Sequence, residues 1–376
     1  MGTSAAGIIF SSLNDSTLSR LTSDRTVAAI PFACRYRLID FCLSNMVNAD
    51  ISNISIVANY NYRSLVEHIG SGKDWDLARR EHGINMISPF QTTGNVGNKI
   101  FSTKLEALKS MKEYIDEFRE EYVILMDSHS ILNIDLKHVI SEHESSGASI
   151  TIITKRIQPH FSAKTPKMLI SSNGGKINDI VMGSTYNAKN TEVSLDIFVM
   201  KTSYLRRLIE EADAYSLRSL TNMLLTSYKH SYYRSYCFED YVASVSGFID
   251  YYKCSMELIK SEKARNSLLL KKEFPIFTRV HNSAPTVHKE SAKIENSLIA
   301  DECVIEGTVI NSVIFRGVHI GKNATVTDSV LFHGTYVEDN AQLNYIVTDK
   351  NVHVTKNVKL FGNENMPFYV QKGRRV

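Results

Sequence analysis

Over roughly the first 268 residues, short apolar runs alternate with longer segments in which apolar positions recur every three or four residues. Residues 51–57 read as a short buried strand and 62–69 as a helix. Leu105, Leu108, Met111 and Ile115 fall three and four apart, which predicts one helix over 104–118. Residues 122–126 read as a strand, 136–144 as a helix, and 148–155 as a strand rich in β-branched residues. Alternating strand and helix predicts an α/β domain with a mostly parallel sheet.

Beyond residue 291 the period changes. Four lines stack: Asn296-Ser297-Leu298-Ile299, Asn311-Ser312-Val313-Ile314, Asp328-Ser329-Val330-Leu331 and Asn344-Tyr345-Ile346-Val347. Each is followed by a second short β segment, at Val304-Ile305, Val318-His319-Ile320, Tyr336-Val337 and Val352-His353-Val354. Gly307, Gly317, Gly321 and Gly334 mark corners. A repeat of roughly 16–18 residues with three short strands per turn is one coil of a parallel β-helix. The stretch 271–290, with Pro275 and Pro285, reads as the connection.

Composition narrows the function classes. The chain has 376 residues, 43% hydrophobic and 22% charged, and a formal charge of +3. That balance excludes a strongly basic nucleic-acid binder and an acidic disordered chain. Cys34, Cys42, Cys237, Cys254 and Cys303 are odd in number and form no C-x-x-C pair, so neither a disulfide framework nor a structural zinc site is expected. No apolar run approaches the roughly 18 residues of a membrane span, and no signal peptide is read at the N-terminus. A myristoylation signal at Gly2 is not expected, because Ala6 stands where Ser or Thr is wanted. These features predict a cytoplasmic protein that binds neither membrane nor nucleic acid.

The run Ile30-Pro31-Phe32-Ala33-Cys34-Arg35-Tyr36-Arg37-Leu38-Ile39-Asp40-Phe41-Cys42-Leu43-Ser44-Asn45 closely resembles the V-P-F-G-G-K-Y-R-L-I-D-F-x-L-S-N run of ADP-glucose pyrophosphorylases (glucose-1-phosphate adenylyltransferases). Ser64-Leu65-Val66-Glu67-His68-Ile69 matches that family's S-L-x-x-H-I helix. With the C-terminal repeats, the resemblance covers nearly the whole chain. It implies an α/β fold: a Rossmann-like nucleotidyltransferase domain with a mixed, mostly parallel sheet over 1–270, a linker over 271–290, and a left-handed β-helix over 291–376.

The chain departs from that family where the chemistry should be. Active members carry G-G-x-G-x-R after the first strand, which lets backbone N–H groups and an Arg approach triphosphate. Here that stretch falls on Ser12-Leu13-Asn14-Asp15-Ser16-Thr17. The family's K-R-A-K-P-A reads Asp24-Arg25-Thr26-Val27-Ala28-Ala29, which keeps the Arg but puts Val27 at the second Lys. Nucleotidyl transfer needs Mg²⁺ on the phosphates. The two aspartates that hold it in the family align with Ser128 and Ser244. Asp127 is one residue away and would serve only after a register slip, since neighbouring strand residues point to opposite faces. The family's F-V-E-K-P segment, whose Lys holds the sugar phosphate, has no counterpart between Lys155 and Glu192. Its S-M-G-I-Y-V-F strand becomes Ser194-Leu195-Asp196-Ile197-Phe198-Val199-Met200, with Asp196 in place of Gly.

This pattern resembles the non-catalytic, GlgD-type subunit that partners a catalytic subunit in bacterial glycogen synthesis. The resemblance implies no catalytic, cofactor-binding or metal-ligating residue in this chain, with Mg²⁺ held by the catalytic partner in a mixed tetramer. Arg25, Arg35 and Arg37 are the candidate effector site for a phosphorylated sugar or nucleotide, because the Arg fork donates bidentately to phosphate. The alternative for them is a solvated positive face or structural ion pairs. Lys372, Arg374 and Arg375 read as a frayed tail. His319, His333 and His353 read as surface residues of the coil. Phe315, Phe332 and Tyr336 are either a subunit contact stripe or internal stacking rungs. Two other functions stay open: an active nucleotidyltransferase with a remodelled metal site, in which Asp127 would serve, and a β-helix scaffold or acyltransferase.

Overall fold

The computed structural model describes residues 4–11, 16–78, 83–89, 100–157, 161–186 and 191–376. The chain forms two compact units that interleave in sequence: Met1–Asn14, Cys42–Tyr62 and Ile69–Asp240 make the first, and Asp15–Phe41, Arg63–His68 and Tyr241–Val376 the second. Among the described residues no helix is long and apolar enough to cross a membrane.

The first unit is built on a nine-stranded sheet. Its strands in chain order are β1 (Ala5–Phe10), β2 (Ile54–Val57), β3 (Ile84–Ile87), β4 (Tyr122–Asp127), β5 (Ile150–Arg156), β6 (Phe161–Asn173), β7 (Lys176–Tyr186), β8 (Thr191–Lys201) and β9 (Tyr233–Cys237). The sheet order is 3-2-1-4-8-5-9-7-6. Strands β3, β2, β1 and β4 run parallel, and β8 enters antiparallel between β4 and β5. Every residue of β1, β2 and β4 is buried, as expected for parallel strands covered on both faces. Alternate residues Ala6, Ile8, Phe10, Val123, Leu125, Phe198 and Met200 share one face and join a core with Leu105, Leu108, Leu205 and Leu208 from helices. The helix expected over 104–118 is two helices, Lys104–Ser110 and Lys112–Asp116, separated by Met111 at φ −103° and ψ 18°. The i to i+4 hydrogen bonds on both sides of Met111 survive, so the apolar spacing of three and four is kept.

The second unit carries the coil. Three parallel sheets have five short strands each. One stacks Val287–His288, Val304–Ile305, His319–Ile320, Tyr336–Val337 and His353–Val354. Its first rung lies inside 271–290, so the coil begins before the repeat is visible in the sequence. Ile305, Ile320, Val337 and Val354 form an inward column, and Val309, Val326 and Leu343 form another. Asn323, Asn340 and Asn357 take positive φ at one corner and pass amide hydrogen bonds along the stack at 3.4 and 3.2 Å. Helix Phe248–Lys260 lies on the strand Val313–Ile314. The Tyr252 hydroxyl donates to the Asp328 carbonyl at 2.7 Å.

Phe315 and Phe332 are internal rungs: both are buried, their rings stand edge-on at 5.1 Å, and Tyr251 continues the series at 6.0 Å. Tyr336 is 43% exposed and stacks on His319 at 4.3 Å, so it does not belong with them. The tail is ordered in the fold. Val376 and Arg374 exchange backbone hydrogen bonds with the last coil at His353, and Lys372 pairs with Asp24 at 3.0 Å.

Candidate functional site

A cavity of about 160 Å³ opens in the second unit. Its first wall is the hairpin that pairs Pro31–Phe32 with Tyr36–Arg37. The turn forces Ala33 and Cys34 to φ +47° and +59°, the left-handed region that the family fills with two glycines. Arg35 and Arg37 leave this turn into the cavity. The Arg37 guanidinium donates to the Ser64 hydroxyl at 3.0 Å, and its backbone N–H donates to Asp40 Oδ2 at 2.9 Å. The other Asp40 oxygen meets His68 Nε2 at 2.6 Å, with both groups buried. Arg279, Arg316 and Lys350 complete the cationic lining, and Asp301 is its one acid. Arg316 has Glu302 at 3.7 Å, whereas Arg35 and Lys350 have no carboxylate partner among the described residues.

Crowding of like charge shows in the acidities. Burial first, then Arg37 and Arg25, lower the Lys350 ammonium to about 8. Burial lowers Arg37 to about 10 despite the opposing pull of Asp40, which leaves it protonated at neutral pH. Burial also lowers His333, whose Nδ1 faces the Arg316 carbonyl at 2.8 Å. Cations gathered at such cost, with Arg35 and Lys350 lacking a carboxylate partner among the described residues, suit an anion that can take several charge-assisted hydrogen bonds at once.

Arg25 does not join them. It is 2% exposed, and its Nη2 donates to buried Asp349 Oδ1 at 2.7 Å. The Tyr369 hydroxyl donates to the other Asp349 oxygen at 2.6 Å, and the Lys350 N–H donates to Asp349 Oδ1 at 2.6 Å. Arg25 is therefore the cation of an internal network, a correction to the sequence reading, and it bears on the cavity through its charge, which repels Lys350 and Arg37. Val27, at the missing Lys, is fully buried core. Of the altered phosphate loop, residues 12–15 lie outside the described residues. The Thr17 hydroxyl, at the Arg position, donates to the Ser246 carbonyl at 2.7 Å.

The first unit holds a second polar cluster at the end of β4. Asp127 Oδ2 faces Lys104 Nζ at 2.9 Å, and its Oδ1 faces His129 Nδ1 at 2.7 Å. Asp196 lies 3.8 Å from the same ammonium and 3.5 Å from His129 Nε2. Burial would raise the Asp127 pKa, but Lys104 and then His129 hold the carboxyl well below the usual carboxylate range. Ser128 is fully buried, and its hydroxyl has no hydrogen-bond partner among the described residues. Ser244 is exposed in the second unit, its hydroxyl 3.5 Å from that of Ser246. Among the described residues no three His, Cys, Asp or Glu side chains are arranged to hold a metal ion.

Comparison with known proteins gives this geometry its setting. Residues 7–164 match the nucleotidyl transferase family, and residues 282–366 match the GlmU-like C-terminal hexapeptide family. A Bacillus subtilis (strain 168) protein, glycogen biosynthesis protein GlgD, is 32% identical over 370 residues, covering 98% of this chain and 95% of its own. The chain belongs to the GlgD family. The Geobacillus stearothermophilus GlgD protein is also 32% identical, over 99% of this chain and 97% of its own. A glucose-1-phosphate adenylyltransferase of Mycoplasma mobile is 28% identical over 81% of this chain and 80% of its own. The protein is thus a glycogen biosynthesis protein related to ADP-glucose pyrophosphorylase, with a nucleotidyltransferase domain and a hexapeptide coil consistent with a left-handed β-helix.

Within this GlgD-family chain the motif Arg35-Tyr36-Arg37 was visible in sequence, and Arg279, Arg316 and Lys350 were not. They come from the approach to the coil and from two of its corners, and no local pattern marks them. The Lys104 cluster carried two faint signals: Asp196 in place of Gly, and a Thr103–Glu106 cap that fixes where the helix starts.

Proposed function

We propose that this chain is a regulatory, catalytically impaired subunit of a heteromeric glucose-1-phosphate adenylyltransferase, the enzyme that turns ATP and glucose 1-phosphate into ADP-glucose and pyrophosphate. The observation that carries the proposal is the cation-lined cavity. Five cationic side chains and a single acid face one small space, in a chain whose sequence carries other residues at the family's triphosphate loop and at both of its metal-aspartate positions. A site that binds an anion and transforms nothing is what an effector requires. The ligand is a phosphorylated sugar or nucleotide, with Arg35, Arg37, Arg279, Arg316 and Lys350 as its donors. Mg²⁺ belongs to the catalytic partner. The effector acts by preferring one conformational state of the mixed assembly, and a coupling of about 1–3 kcal/mol changes affinity roughly 5–150-fold.

The test uses the full chain, alone and mixed with a catalytic subunit. Titration calorimetry with a panel of sugar phosphates, adenine nucleotides and inorganic phosphate should find a ligand for the isolated chain. Lys350→Met should weaken it about tenfold to a hundredfold, the loss of one charge-assisted hydrogen bond. Mixed samples should co-elute on size exclusion and show an altered effector response. No anion binding, or a mixture whose kinetics equal those of the catalytic subunit alone, would refute the regulatory reading.

A further inference from the structure

Lys104 is the first residue of the helix Lys104–Ser110. Thr103 caps that helix by accepting the Glu106 N–H, and the Glu106 carboxylate accepts the Ser102 N–H at 2.8 Å. A cation is disfavoured at this end, where the peptide dipoles already place partial positive charge. Lys104 nonetheless holds its ammonium 2.9 Å from Asp127, 3.8 Å from Asp196 and 5.7 Å from the centre of the Phe10 ring. Asp196 reaches it because β8 bulges between Ser194 and Ile197, where Asp196 adopts φ +57°. A bulge of this kind re-aims a side chain. His129 closes the other side and occupies the second Asp127 oxygen.

We propose that Lys104 is a tethered counter-cation: its ammonium fills the space between Asp127 and Asp196 that a hydrated divalent cation would otherwise take. Two carboxylates directed at one point repel each other and demand a positive charge. Mg²⁺ and Mn²⁺ are commonly held by one or two carboxylates while keeping several waters, so this pair is a sufficient ligand set. An ammonium on the same chain competes at a high effective concentration and excludes the free ion. The protein thereby keeps a folded strand end without metal, and neutralising residue 104 creates a divalent-cation site. This inference does not rest on the regulatory reading, and its test measures metal binding rather than ADP-glucose synthesis.

The experiment is Mn²⁺ titration of the full chain, followed by paramagnetic resonance of the free ion. The set is wild type, Lys104→Met, Lys104→Arg and Lys104→Met with Asp127→Asn. Wild type and Lys104→Arg keep the charge and should leave the ion free. Lys104→Met should bind at least about tenfold more tightly than wild type, and Asp127→Asn should remove the gain. Trp75, the single tryptophan, is buried in the same unit and reports its folding. If Lys104→Met is unstable without metal, Mn²⁺ should raise its thermal midpoint while leaving that of wild type unmoved. The inference is overturned if wild type binds Mn²⁺ as Lys104→Met does. It is equally overturned if Lys104→Met gains neither binding nor stability from Mn²⁺, or if the gain survives Asp127→Asn or appears in Lys104→Arg.

Discussion

Ala33 and Cys34 hold consecutive left-handed conformations at the turn that aims Arg35 and Arg37 into the cavity. A side chain with a Cβ pays about 1–2 kcal/mol there, and glycine does not. Part of that gain is returned as unfolded-state entropy. Ala33→Gly should therefore stabilise the protein by up to about 1 kcal/mol in urea unfolding. Lys350 gives the cavity its pH dependence. Its ammonium is charged below about 8 and loses charge above it. Anion affinity should thus fall as pH rises through that value, which calorimetry at pH 7 and pH 9 will show. Because the folded value lies below the ordinary lysine value, protonated Lys350 opposes folding. Stability without ligand should rise as pH climbs from about 8 toward the ordinary value, and Lys350→Met should abolish that rise. The pair Arg35 and Arg37 was legible because one motif holds both. Arg25 looked equivalent in sequence, yet its side chain is sealed against Asp349 and its charge is spent inside the fold.

At the scale of elements, the coil was the most legible part of the chain. Each rung is set by two or three residues whose inward members are apolar, so the period shows directly in the sequence. Its corners are less tolerant than that period suggests. A Cβ on Gly307 would stand 2.3 Å from the Ala324 carbonyl oxygen and 2.7 Å from that of Gly321, both backbone atoms of the next coil. Gly307→Ala should cost about 1–3 kcal/mol, read as a lowered thermal midpoint, because the coil cannot shift one rung without shifting its neighbours. The first rung at Val287–His288 escaped notice because its outward residues are exposed and no earlier repeat precedes it. The break at Met111 was equally hidden, since the apolar spacing of the two short helices is that of one continuous helix.

At the scale of the whole molecule, the proposed role predicts an assembly property rather than a turnover. The isolated chain should make negligible ADP-glucose, since loss of metal-based charge stabilisation removes several kcal/mol from the barrier reduction, roughly a thousandfold or more in rate. Ser128→Asp with Ser244→Asp should not restore activity in a coupled pyrophosphate assay. The Ser128 side chain is fully buried, so an aspartate there would enter the core rather than the Lys104 cluster. Full activity in that double variant would sink this account. Hydrophobic period and turn residues by themselves determined the strand–helix alternation and the coil, because each is encoded by contacts a few residues apart, and the family showed in the run from Ile30 to Asn45, which resembles a known motif. Three things were decided only by tertiary structure: which arginines share a cavity, that Lys350 forms no ion pair among the described residues, and that Lys104 stands between Asp127 and Asp196. The reason is physical. Charge pairing depends on distance and burial in space, and these residues meet only after segments as far apart as Arg37 and Lys350 have folded together.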